Sequence, residues 1–435
     1  MSSSSKKLAA EHQGGEGGDG RVRIGFLFNH ESVHQVAHSA PIITELVRHH
    51  PEVQVSILVS TEAQMEAVRR IVETEVLARI DCIRLKLNPL YSLISFLTRK
   101  VSPFARYAIL KSNLSIFRGF DALLVPEKTS LMLKKRFGLD SLKLIYTQHG
   151  SGDRAVGFKP EIGDFDFVLL MGRKVRDRMQ ALGYIRDDQY KIVGYPKFDT
   201  IPAGSHGHPR LFSNDNPVVL YNPHFEPGLS SWYDMGQDVL EFFSRHPDYN
   251  LILAPHVMLF RRRLHTSLEF FTMRLRQGVP AKYRRCENIL VDTGSPACVD
   301  MTYTRAADIY IGDVSSQIYE FLIEPRPCIF LNSHNADWQD DPNYLHWQSG
   351  PVLTDVAELD ARLAQATEEH EHYRSIQESL VAYTFDHNET SASRRAADAI
   401  ANFTLGKEDA ALAANDARGD NQGCRPRPPH IAVAE

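Results

Sequence analysis

The sequence predicts an α/β protein made of two Rossmann-like domains with a cleft between them. Short apolar runs alternate with helix-length segments in two successive series, and a stretch rich in Pro, Gly, His, Ser and Asn around residues 201–216 separates the series. Length agrees: 435 residues exceed the ~250–300 that a single core organises.

The first series opens at residues 21–30, an apolar run bounded by polar residues and therefore a buried strand. Residues 36–49 read as a helix, 53–60 as a strand, 62–80 as a helix and 82–87 as a third strand. Apolar runs at 121–126, 142–147, 165–171 and 191–194 add four more strands. The second series starts at Pro217, with strands expected at 218–221, 251–254, 289–291, 308–311 and 327–331. Helices are expected there at 232–245, 264–277, 317–323 and 355–383. Such alternation makes parallel βαβ units, which bind ligands at the carboxyl ends of their strands. The expected domains are 21–205 and 206–405, with tails at 1–20 and 406–435 too poor in apolar residues to order.

Composition narrows the function. With 49 Lys plus Arg against 54 Asp plus Glu, the net charge of -5 argues against a nucleic-acid partner. The five cysteines, Cys82, Cys286, Cys298, Cys328 and Cys424, form no CxxC pair, which suits a reduced cytoplasmic setting. No apolar run is long enough to span a membrane, and the first 20 residues do not read as a secretory signal. Residues 88–111 mix Leu, Ile, Phe and Tyr with Arg99, Lys100, Arg106 and Lys111. That composition fits peripheral membrane contact, and fits a core helix pair with solvated basic residues better. GxxxxGK[ST], HExxH and GxSxG are all absent. No cofactor or metal is expected: Asp340 and Asp341 are placed in a solvated loop.

The chemistry concentrates at strand ends. Residues 307–331 read as strand, tight turn, helix and Pro-bounded strand, with Asp313, Ser315 and Ser316 at the helix start. Backbone N–H groups and serine hydroxyls there suit a phosphate, or simply cap the helix. Glu320, one turn on, is placed to accept from ribose hydroxyls. His149 ends another strand, beside Gly150 and Gly152, which allow backbone to approach a ligand closely. His256 ends a third, followed by Arg261, Arg262 and Arg263, of which at least two read as a solvated face. Lys197 closes the first domain facing the cleft.

In order, these motifs resemble the CDP-glycerol glycerophosphotransferase family, teichoic-acid-type polymerases and primases of GT-B fold. The matching segments are His149-Gly150, Gly194 to Pro196, Asn222-Pro223, His256-Val257, Asp313 to Ser316 and a closing Thr384 to Arg394. Gln148 and Ser151-Gly152 depart from the family's residues around the His-Gly, and Val257 stands where it has Pro. The resemblance implies an acceptor domain at 21–205 and a nucleotide-donor domain at 206–405. It implies His149 as the base that deprotonates the acceptor hydroxyl. His256, Ser315 and Ser316 would hold the donor diphosphate, with Gly150, Lys197, Arg261 and Asp313 in the same pocket and Glu320 on the ribose. The donor would be CDP-glycerol or a nucleotide sugar, the acceptor a polymer or lipid-linked hydroxyl at the inner membrane face. Two other readings stay open: a glycosyltransferase or UDP-GlcNAc 2-epimerase-like enzyme, for which Glu127, Asp153 and Glu226 are the only plausible acid/base carboxylates, and a non-catalytic nucleotide-binding scaffold.

Overall fold

A computed structural model describes residues 20–30, 33–88, 104–201, 208–267 and 269–407. Both expected tails except Gly20, Gly406 and Lys407, residues 202–207 of the linker and residues 89–103 of the basic aromatic stretch lie outside the described residues. The first half contains β1 (Val22–Phe28), β2 (Val53–Val59), β3 (Asp81–Arg84), β4 (Ala122–Val125), β5 (Lys143–Thr147), β6 (Phe167–Leu170) and β7 (Tyr190–Ile192). They form one seven-stranded parallel sheet ordered β3-β2-β1-β4-β5-β6-β7. Central strands such as β4 are buried at every residue, as strands covered on both faces must be.

The second half contains β8 (Val218–Asn222), β9 (Asn250–Leu253), a separate hairpin of β10 (Leu264–Ser267) and β11 (Thr272–Leu275), then β12 (Ile289–Val291), β13 (Ile309–Gly312), β14 (Cys328–Leu331) and β15 (Val352–Leu353). Its main sheet is also parallel, ordered β12-β9-β8-β13-β14-β15. Each sheet reverses its direction of growth once, between β1 and β4 and between β8 and β13. Loops leaving those strands splay apart there and open the crevice in which such sheets bind ligands.

Two expectations needed correction. Where a helix is expected at 264–277, Leu264–Ser267 and Thr272–Leu275 pair as antiparallel strands. Leu264, Leu268, Phe271 and Leu275 stand at helical spacing in sequence, but burial in β10 alternates residue by residue, and Phe271 turns the chain with φ +48°. The helix Ala392–Leu405 falls in the range expected for the second domain, 206–405, yet its buried face packs on the first sheet. Ala396, Ala397, Ile400 and Ala401 share one core with Ile24, Phe26, Val53 and Ile43. Phe403 stacks on Phe167 at 4.6 Å, and Lys143 Nζ donates to the carbonyl of Phe403 at 3.3 Å.

The 26-residue helix Leu359–Thr384 carries the chain back to the first domain. Its end passes so close to Gly172 that a Cβ there would lie 2.2 Å from the Thr384 carbonyl oxygen, so only glycine fits. Ile400→Ala removes a fully buried side chain from the helix Ala392–Leu405, where it packs on the first sheet, and is expected to destabilise the fold by about 2–5 kcal/mol, read as a lower urea midpoint.

Candidate active site

β5 ends at Thr147 and releases His149 into the crevice. His149 Nδ1 lies 2.9 Å from the Pro126 carbonyl, just past the end of β4. A carbonyl only accepts, so Nδ1 carries the proton and Nε2 keeps its lone pair. Burial lowers the His149 pKa, partly opposed by that hydrogen bond, with Lys128 and Arg106 lowering it further. The ring is therefore neutral at pH 7.

His149 sits among other histidines. His34 and His38 belong to the turn after β1, and His38 lies 6.4 Å from His149 and 5.2 Å from Tyr195, centroid to centroid. Burial lowers His34 to about 3, helped by the nearby charges of His256, Lys197, His149 and His30. From the second domain, His224 follows β8 and His256 follows β9, 5.4 Å apart. Burial with Arg261 lowers His256 to about 4, and burial with His256 and Arg154 lowers His224. Every ring is held neutral near pH 7, so the crevice offers hydrogen bonds where cations were available by composition. Among the described residues no three His, Cys, Asp or Glu side chains are arranged as metal ligands.

The domains meet at the loop after β5. Gly150, with φ +83°, and Gly152 face Ser316, whose side chain lies 3.7 and 3.4 Å from where their Cβ atoms would be. Ser151 Oγ donates to the Ser316 carbonyl at 3.4 Å. Ser315 is buried, with Oγ accepting from the N–H of Gln317 at 3.4 Å, while Ser316 is half-buried. Lys197 Nζ crosses the junction to Glu320 Oε1 at 2.6 Å, joined by the Tyr195 hydroxyl at 3.2 Å. Glu320 Oε2 is buried with no hydrogen-bond partner among the described residues. Arg261 lies exposed on the rim.

Asp313 differs from its sequence assignment to the donor. Its carboxylate is fully buried and accepts from the backbone N–H groups of His224, Ser231 and Val314 and from the Ser231 hydroxyl. Burial pushes its carboxyl up to about 6 against those bonds. It staples the loop after β13 to the loop after β8 rather than facing the crevice.

Asp153 carries the densest set of contacts and was legible only as a general acid/base candidate. Lys174 Nζ lies 2.7 Å from Oδ1, the Tyr319 hydroxyl donates at 2.8 Å, and His346 Nδ1 approaches Oδ2 at 2.7 Å. His346 Nε2 and Trp347 Nε1 in turn donate to the Asp313 carbonyl at 2.9 and 2.8 Å. Burial alone raises the Asp153 carboxyl, but Lys174 and then His346 outweigh it and hold it well below the usual carboxylate range. Of the other carboxylates singled out by sequence, Glu127 is occupied by the Thr129 N–H and the Ser130 hydroxyl, while Glu226 Oε1 is buried without a partner among the described residues. Sequence reasoning missed His34, His38, His224, Lys174, Tyr319, His346 and Trp347. The spacing of His30, His34 and His38, four residues apart after β1, was the one available signal.

Asp153→Asn leaves Lys174 buried without its counter-charge and is expected to cost about 3–5 kcal/mol in chemical denaturation. The folded pKa lies below the unfolded value of about 3.9, so the ionised pair stabilises above that value and its contribution is lost as pH falls toward the folded pKa. Wild-type stability should therefore drop more steeply than that of Asp153→Asn below about pH 4.

Comparisons with known proteins bear on the fold and the family. No curated protein sequence matches the chain. Among solved structures, the wall teichoic acid polymerase TagF is similar with TM-score 0.57 at 13% identity, over 90% of this chain and 91% of that one. A putative UDP-N-acetylglucosamine 2-epimerase from Listeria monocytogenes is similar with TM-score 0.57 at 13% identity, over 89% and 97%. The S. aureus MnaA-UDP structure follows with TM-score 0.54 at 12% identity, over 88% and 97%. These likenesses establish the GT-B fold of two Rossmann-like domains. The family model described as CDP-Glycerol:Poly(glycerophosphate) glycerophosphotransferase matches residues 129–402, a span that takes in His149, His256, Ser315, Ser316 and Glu320, and the chain belongs to that family.

Proposed function

We propose that the protein transfers glycerol phosphate from CDP-glycerol to a hydroxyl of a polymer or lipid-linked acceptor at the inner membrane face. The observation that carries the reading is the His149 geometry: Nδ1 is committed to the Pro126 carbonyl, which leaves a neutral Nε2 in the crevice. Nε2 takes the acceptor's hydroxyl proton as the oxygen attacks the glycerol-bearing phosphorus, and the bond to CMP breaks in line. His256, Ser315 and Ser316 hydrogen-bond the diphosphate, Arg261 supplies positive charge at the rim, and Gly150 lets backbone close over the phosphates. Lys197 holds Glu320 so that the unpartnered Oε2 accepts from the ribose hydroxyls. No metal is needed for this scheme.

The epimerase-like reading has support in the fold shared with the 2-epimerase. It requires acid/base carboxylates in the crevice; Asp153 and Glu127 are already engaged by the protein's own donors, which leaves that reading only Glu226, whose Oε1 is buried without a partner among the described residues.

The test is CMP release from CDP-glycerol with a glycerophosphate-ended lipid acceptor, combined with thermal shifts by CDP-glycerol and UDP-sugars. His149→Ala should lower kcat by about 10²–10⁴-fold while CDP-glycerol still raises the melting temperature; unchanged turnover sinks the base assignment. Ser315→Ala/Ser316→Ala should abolish the shift by CDP-glycerol. Stabilisation by UDP-sugars alone would favour the epimerase-like reading. Because His149 must be unprotonated to act, and its pKa lies below 6.5, the acid limb of kcat/KM should fall below pH 6.5, with a plateau at neutral pH.

A further inference from the structure

The hairpin β10–β11 is fixed to the second domain by one face only. His265 Nε2 donates to the carbonyls of Leu259 and Arg262 at 3.0 and 3.1 Å, and Arg274 pairs with Asp234 at 2.5 Å while lying over the Tyr233 ring. The opposite face is apolar and open. Leu264 stands across from Leu275 and Thr266 across from Met273, and Leu264, Leu275 and Met273 are 51%, 65% and 66% exposed. At the tip, Phe271 is 92% exposed and held at φ +48°. A bulky aromatic residue in the left-handed region costs conformational energy, and such strain persists where something other than folding selects it.

Charge says what covers this face. Residues 261–276 contain five arginines and one carboxylate, Glu269, in a chain of net charge -5. Glu269 is paired with Arg154. Arg261, Arg262 and Arg263 are exposed, and none of them has a carboxylate partner among the described residues. A protruding apolar face with an aromatic tip and a flank of unpaired arginines is matched by a surface that is apolar inside and anionic outside. We infer that β10–β11 is a docking hairpin that inserts Phe271, Met273 and Leu275 into an anionic lipid bilayer while Arg262 and Arg263 contact its headgroups.

The hairpin also adjoins the crevice. Glu269 pairs with Arg154, and the Arg154 guanidinium lies 5.3 Å from the Phe270 ring centroid, only five residues from His149 in sequence. Docking would hold the mouth of the crevice beside the membrane, where a lipid-linked acceptor presents its hydroxyl. That consequence rests on the transferase reading; the lipid binding does not.

The test is co-sedimentation of the full chain with phosphatidylglycerol/phosphatidylcholine vesicles and with pure phosphatidylcholine vesicles. Wild type should bind the anionic vesicles, less so at high salt, and bind the neutral ones weakly. Phe271→Ser/Met273→Ser/Leu275→Ser and Arg262→Glu/Arg263→Glu should each weaken anionic binding roughly tenfold or more. Phe271→Gly separates docking from folding: relief of the positive φ should leave the melting temperature at or above wild type while vesicle binding falls. No binding by wild type, binding unaffected by all three variants, or a solution dimer that Phe271→Ser/Met273→Ser/Leu275→Ser dissolves would overturn the inference. CMP release to a water-soluble acceptor should be unchanged in Phe271→Gly, so a failed transferase assay and a failed lipid assay are separately readable.

Discussion

A buried carboxylate has to find donors or counter-charges, and Asp153 meets that demand with groups from both domains. Lys174 comes from the helix Arg173–Ala181 of the first domain, whereas Tyr319 and His346 come from the second. The linkage does not stop there. His346 and Trp347 reach the Asp313 carbonyl, and the Asp313 carboxylate reaches the loop after β8. Both nitrogens of His346 face acceptors, the Asp153 carboxylate and the Asp313 carbonyl. One chain of polar contacts therefore fixes the loop holding His149 and Gly150 against the loops that begin with His224 and Asp313.

Chemistry in the crevice follows from that fixed arrangement. Once the two domains are clamped, His34, His38, His149, His224 and His256 lose water together and stay neutral. Neutral imidazole suits a base that must take a proton, and suits hydrogen bonding to phosphate oxygens. The positive charge in the crevice comes instead from Lys197, which Glu320 partly balances, and from the rim arginines. The same second domain that presents His256 also presents the arginine-flanked hairpin, so crevice and outer surface share one support.

Much of the fold was legible because parallel strands buried on both faces are continuous apolar runs that no other context explains. All twelve runs singled out in the sequence overlap a strand, each displaced by at most a few residues. The hairpin was misread because Leu264, Leu268, Phe271 and Leu275 repeat with a helical period in sequence, while burial along β10 alternates with a period of two. The last helix was not anticipated at all: its small buried residues, Ala396, Ala397, Ala399 and Ala401, give a faint apolar stripe. The histidines at strand ends could be found because a parallel sheet sends such residues toward its ligand. Their neutrality could not, since it depends on who surrounds them.

By itself the sequence determined where twelve of the fifteen strands among the described residues lie along the chain, and the strand-end positions of His149, His256, Ser315 and Ser316. These are local properties, set by hydrophobic period and turn chemistry over a few residues. Only the tertiary structure decided which polar groups meet. It gave the Asp313 carboxylate to the backbone, joined Lys197 to Glu320 across 123 positions and sealed Asp153 with His346 across 193. Pairings at such separations depend on the packing of two sheets and the path of the returning helix, and no short-range pattern encodes them.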